Sequence, residues 1–315
     1  MSESLARENL STIDDLVHAV AGIAHVEKPH LESRASIRKL EIAKEPFDKE
    51  LAEAKAKKNM WENDLNALDH WTLQWFMHWI TCEVANERER CKKGIDKSGE
   101  LIQEAQAKVD HVNEKIHDVE APNEKNSVDY RSLQNYREEL TELLDSIFAD
   151  SDFPTEKEAK LQRDEAKERL DKVTEDFANV DKARELIKKA DMSLLEAIVD
   201  LRQSNDNKDL AAGQVYFPQE AYEALKELRE QHPDVPGILP PQEYEKKADE
   251  TGAYYSPMQR YLWEVRQQLA KLVEWCDDRV LENLDKEAEE TIAFGAKTDE
   301  WNLERRRIVR EVILS

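Results

Sequence analysis

The sequence predicts an all-α protein, elongated and built from long antiparallel helical hairpins with coiled-coil packing. Three observations predict it. Ala, Glu, Lys, Leu and Arg make up roughly half of the chain, as in coiled coils and long helices. Glycine occurs only 7 times in 315 residues, too seldom for the positive-φ turns that tight strand hairpins need. Apolar residues recur at spacings of three and four over most of the length, the period of an amphipathic helix.

The elements follow in order. Residues 4–26 read as a first helix, with Leu5, Ile13, Leu16, Val17, Val20 and Ile23 on one stripe and Pro29 as its end. A second helical run follows Leu31, with Pro46 as a kink or restart. The next segment is aromatic. Trp61, Leu65, Leu68, Thr72, Trp75 and Trp79 fall on one helical line, and Trp71, Leu73, Phe76 and Ile80 widen it to most of the circumference. A helix apolar on most sides is buried on most sides, so 61–84 is expected to be the best-packed core. Trp61, Trp71, Trp75, Phe76 and Trp79 are its anchors, and the candidates to line a ligand pocket or an interface.

From Cys91 the pattern is a heptad. Ile95, Ser98, Ile102, Ala105, Val109, Val112, Ile116 and Val119 alternate spacings of three and four. Ala121–Ser127, with Pro122, Asn123 and Asn126, reads as a turn. Leu133, Tyr136, Leu140, Leu143 and Ile147 then continue, so an antiparallel hairpin is expected about 121–127. A break at 149–159 offers Thr155 with Glu158 as a capping box and Asp152 as a competing cap before Pro154. The run from 156 to 203 is the most regular: Leu170, Val173, Phe177, Val180, Arg184, Ile187, Asp191, Leu194, Ile198 and Leu201. Arg184 and Asp191 stand at seam positions one heptad apart. They are too far apart to pair along the helix, so each is expected to find a partner on a facing helix and to set the register.

Residues 204–214 are a polar loop, Tyr222, Leu225 and Leu228 mark a short helix, and 232–242 is a proline-rich linker. A last long helix starts near Pro257 with Leu262, Val265, Leu269, Leu272 and Cys276, then slips by one residue to Val280, Leu284 and Ala288. Trp301, Ile308 and Val312 close it, and Arg305, Arg306, Arg307 and Arg310 read as cations favoured near a helix C-terminus. Four regions result: N-terminal helices (1–60), a long helical coiled-coil hairpin region (61–203), a polar and Pro-rich stretch with short helices (204–255), and a C-terminal long helix (256–315).

Charge and cysteine usage bound the partners. The net charge of −23 opposes phosphate backbones and anionic lipid, so neither nucleic acid nor a membrane is an expected partner. Charge is uneven, with 8 basic against 5 acidic residues over 34–58, and 3 against 10 over 274–300. These runs read as solvated helix faces, or as contacts within or between chains. Three unclustered cysteines, Cys82, Cys91 and Cys276, suit a reducing compartment. With no signal-peptide pattern and no ~18-residue apolar stretch, the cytoplasm is expected.

No motif for catalysis emerges. Phosphate-loop, dinucleotide, nucleophile-elbow and zinc-protease patterns are missing. Glu114 and His117 have the spacing of di-iron ligands but fall on the outer face of the heptad, and the copy at Glu27 and His30 straddles Pro29. His78 and Cys82 lack the further ligands that zinc needs. Asn205, Asn207 and Asp209 echo a calcium loop, yet Leu210 and Tyr216 stand where Gly and Glu are required. Pro233 and Pro236 make a bare P-x-x-P. No catalytic residue, metal or cofactor is therefore expected.

The stretch 143–173 carries Leu144, Asp145, Ile147 and Phe148, then Phe153 and Pro154 followed by Glu158 and a long helix. With the aromatic patch at 70–80 upstream, it resembles a group of uncharacterised fungal coiled-coil proteins, over about residues 70–200. Where those proteins have a Gly before Phe-Pro, this chain has Ala149–Asp152. The resemblance implies a fungal cytosolic helical protein and carries no activity. The function expected is non-catalytic: a structural or scaffolding coiled coil that self-associates, as a homo-oligomer, and docks other proteins. The alternatives are a membrane-associated helical module anchored by Trp71, Trp75 and Trp79, or a helical small-ligand binder.

Overall fold

The structure, a computed structural model, describes residues 2–69, 84–149, 153–203, 218–233, 235 and 257–314. Among them are six α-helices and no strand: α1 (Glu3–Ile23), α2 (Glu27–Asp69), α3 (Val84–Phe148), α4 (Pro154–Gln203), α5 (Gln219–Gln231) and α6 (Pro257–Leu314). Five of these are long, and four of the five pair antiparallel, α2 on α3 and α4 on α6. The chain divides into two units, residues 11–143 and residues 1–10 with 144–315.

In the unit 11–143, α1 buries Ile13, Leu16, Val17 and Val20. A single 3-10 turn, Ala24–Val26, separates it from α2. The break therefore precedes Pro29, which lies in the first turn of α2, where a missing N–H costs nothing because no intrahelical acceptor exists there. Pro46 is exposed and α2 runs through it. The antiparallel course of α2 and α3 shows in their contacts. Moving down α2, Glu27 meets Arg137, Lys44 meets Asn113 and Glu50 meets Lys108. Arg88 then donates to the Leu68 carbonyl.

No hairpin forms at 121–127; α3 passes through Pro122 as one helix of 65 residues. The seam explains why. From Val119 it continues through Asn123, Asn126, Tyr130 and Leu133 at alternating spacings of four and three, so a helical course keeps one face on the partner throughout. Asn123 is buried there. Pro122 points to solvent, where water can satisfy the Asp118 carbonyl it leaves without a donor. In the following stretch the buried residues are Leu133, Arg137 and Leu140, with Tyr136 only half-buried.

In the second unit, α4 begins with Pro154 at its first position, ahead of the Thr155 cap expected, and Lys157 N–H bonds the Phe153 carbonyl. Its second half packs with α5 and α6 in a three-helix core of Ile187, Leu194, Leu225, Leu228, Leu262 and Leu269, among others. Tyr222 faces outward; Ala221 and Ala224 fill the inner face of α5 instead. The expected slip in α6 is visible, since Val280 and Leu284 are buried after Cys276, with Asn283 beside them. Leu5 is 40% exposed, and Ala6 takes the inward place on that turn.

Two glycines give opposite expectations. A Cβ on Gly94 would lie 2.5 Å from Cδ2 and 2.6 Å from Cε2 of Trp61, too close for any real contact. Around Gly99 nothing lies within 4 Å. Ala favours a helix interior by roughly 1 kcal/mol over Gly. Gly99→Ala is therefore expected to stabilise by about that amount in urea unfolding, whereas Gly94→Ala should destabilise by displacing the indole. Equal effects from the two would refute the close packing of Trp61.

Candidate functional site

The residues singled out by sequence fall into two groups. Trp61 is half-buried on the Gly94 surface of α3, with the Arg90 guanidinium 5.8 Å from its ring centre. Trp71, Trp75, Phe76 and Trp79, together with His78 and Cys82, lie outside the described residues. Of the aromatic segment that is described, Leu68 is fully buried. Among the described residues, α4, α5 and α6 share a cluster of buried side chains.

Arg184 and Asp191 both face α6. Arg184 is buried and its Nε donates to Asp277. Asp191 accepts two bonds from Arg266, at 2.7 and 2.8 Å, and Arg266 is buried with its guanidinium 4.9 Å from the Trp263 ring centre. The polarity alternates: cation on α4 with acid on α6, then acid on α4 with cation on α6. An apolar seam interrupted by such rungs discriminates against slipped alignments, in which a charge would be buried alone.

Three further polar contacts lie in helix seams at positions the apolar pattern alone does not mark as buried. Glu27 and Arg137 form a bidentate pair between α2 and α3, each side chain 7% exposed. Arg305, read from the sequence as one of the cations favoured near a helix C-terminus, is fully buried. It donates to Asp145 at 2.6 Å and its guanidinium stands 4.1 Å from the Trp301 ring centre and 5.2 Å from that of Phe148. Trp301 in turn donates to the buried carboxylate of Glu156 at 2.8 Å and carries Arg163 at 5.4 Å. The Nε atoms of Arg163 and Arg305 have no hydrogen-bond acceptor, and the guanidinium groups rest on aromatic rings instead. A charge at a spacing of three or four from apolar neighbours, as at Arg137 and Arg305, was the available clue.

These groups hold the helices to one another. Burial pushes the Cys276 thiol up to about 11, and burial with nearby Asp64 raises that of Cys91, so neither is a ready nucleophile. Glu304 is lowered to about 2 by hydrogen bonds from Arg307 and Thr155. Glu114 and His117 are exposed, and no group of three or more metal-ligating side chains occurs among the described residues. Between α2 and α3 an open groove of about 190 Å³ is lined by Glu50, Glu53, Lys57, Leu101, Glu104 and Lys108, among others. Its volume is below the roughly 300–1,000 Å³ of small-molecule sites, whereas a more open one of about 440 Å³, lined by Val84, Ala85, Arg88, Glu89 and Lys92, falls within that range. No described helix is long and apolar enough to cross a membrane.

His30 supplies a pH-dependent contact. Its ring stacks on Tyr130 at 4.6 Å, and Nδ1 accepts from Asn123 Nδ2 at 3.3 Å. Burial, with the positive charges of Arg34 and Arg131, lowers its pKa below 6.5. A depressed folded-state value means stability that is full above the unfolded pKa of about 6.5 and falls as pH drops through the folded one. Hydrogen exchange along α2 should therefore accelerate on acidification below about pH 6.5. His30→Gln should remove that component; an unchanged pH profile would refute it.

No protein-family model, curated protein or solved structure matches this chain.

Proposed function

We propose that this chain is a non-catalytic, cytoplasmic scaffolding protein whose paired helices mediate self-association and protein–protein contacts. The observation that carries this reading is how its polar groups are used. The buried charges engage one another or aromatic rings across helix seams, as in Arg184–Asp277, Asp191–Arg266 and Glu27–Arg137. None of these pairs lines the groove between α2 and α3. Long outward faces of mixed charge remain as the surface on which partners would act.

In this reading the α4–α6 rungs set register. Arg184→Leu with Asp191→Leu alone would strand Asp277 and Arg266, and should lower the melting temperature. Replacing all four by Leu or Met should restore or raise it while broadening the distribution of alignments. Mass photometry of the native protein, with cross-linking in its source cells, tests the scaffold reading itself. A strict monomer with no cross-linked partner would overturn it. Flotation with vesicles tests the membrane alternative, in which Trp71, Trp75 and Trp79 would be the anchors.

A further inference from the structure

Of the α-helices described, α5 is the shortest, at 13 residues. A helix of that length is marginal in water by itself, so its order depends on the seat it occupies. That seat is the core shared by α4 and α6, into which α5 places Ala221, Ala224, Leu225 and Leu228. Two of the four are alanines, which bury little apolar surface. The long helices are joined in addition by the Arg184–Asp277 and Asp191–Arg266 pairs, in which α5 takes no part. Local opening therefore takes α5 off the core before α4 and α6 separate.

His232 ends α5. Its N–H donates to the Leu228 carbonyl at 2.9 Å, and its own carbonyl accepts from Val235 N–H at 3.2 Å. Val235 packs on the same core, so the residue is tied to the seat from both sides. The ring atom Nε2 is buried and has no hydrogen-bond partner. A neutral ring tolerates this, because with its proton on Nδ1 the buried atom is a bare lone pair. A protonated ring does not, because it buries an N–H without an acceptor and a positive charge with it. Among the described residues, the charged groups that act on the ring are Lys182 of α4 and Glu227 of α5, and none on α6 does. Glu227 favours the cation, but its carboxylate is shared with the Gln231 amide at 2.9 Å. The carbonyl end of α5 also draws a cation, although the Leu228 carbonyl is already occupied. Burial and then Lys182 act the other way and hold the ring's pKa below 6.5.

We propose that α5 is an acid-releasable cover on the α4–α6 core, with the ring of His232 as its trigger. Above about pH 6.5 the ring is neutral in either position and α5 keeps its full hold. As pH falls through the lower folded-state value, the released helix takes up a proton more readily than the seated one, so acid favours release. What release uncovers is the apolar face of Leu194, Leu262 and Leu269, which neutral pH keeps from water. The device is distinct from the His30 contact, which lies between α2 and α3.

The test uses the full chain, with hydrogen exchange followed by mass spectrometry and the histidine rings titrated by NMR. Protection factors over α5 should fall at least ~3-fold between about pH 7.5 and about pH 5.5, while those of Leu194 and Leu269 on the long helices hold. The His232 ring should titrate below about 6.5. His232→Gln and His232→Asn, both uncharged at every pH, should each give α5 exchange without the acid component. Lys182→Gln, at an exposed position where folding is not at risk, should move the His232 titration upward and reduce the acid component. A His232 ring that titrates at or above its ordinary value would overturn the proposal, and so would acid-accelerated exchange that persists in both His232 variants. Protection lost together over α4, α5 and α6 would show that the core opens as one piece, and would overturn it too.

Discussion

Arg137→Met is expected to cost roughly 3–5 kcal/mol, because it leaves the Glu27 carboxylate buried without its cation. Both side chains are nearly inaccessible and share two hydrogen bonds between α2 and α3. The cost is the stranded charge and not the worth of the bridge. Glu27→Gln combined with Arg137→Met should therefore recover much of the loss, and a double-mutant cycle should show strong coupling. Hydrogen exchange on the full chain would read this locally, as lost protection over Leu31–Ile42. Additive effects of the two single substitutions would mean that the pair is solvated after all.

Trp301→Ala should cost a similar ~3–5 kcal/mol, as truncation of large buried aromatics does. Three contacts go at once: the ring beneath Arg305, the ring beneath Arg163, and the indole donor to Glu156. Trp301→Phe keeps a ring face and loses the donor, so it should forfeit only about 1.5–3 kcal/mol, the worth of a hydrogen bond to a charged acceptor. Leu303→Ala, two residues away and 48% exposed, should be near neutral. Circular dichroism in urea separates these outcomes. A near-neutral Trp301→Ala would refute the stacked arrangement at this end of α6.

Much of the fold was legible because the helix period is written in the spacing of the apolar residues. The seam of α4 and the slip near Val280 both appear in the burial pattern. Pro122 misled because proline is a strong local signal, while the evidence for continuity sat on polar residues, Asn123 and Asn126, that an apolar pattern passes over. Arg137 and Arg305 were missed for the same reason: a cation at a seam position looks like a surface residue until its partner is known. Arg184 and Asp191 could be found because unbroken apolar neighbours framed them. Their partners, Asp277 and Arg266, could not, because sequence gives a helix its face but not its neighbour.

The order of synthesis gives one of these contacts a further meaning. Arg305 and Asp145 are separated by 160 residues, and Glu156 and Trp301 by 145. Within 11–143, the α3 partners of Glu27, Lys44 and Glu50 have all been made once residue 143 leaves the ribosome. By contrast, the first turns of α4, around Glu156, wait for a partner 145 residues further along the chain. A nascent chain halted near residue 240 should thus resist protease over α2 and α3 while the first turns of α4 are cut, and those turns are where a chaperone would first be needed.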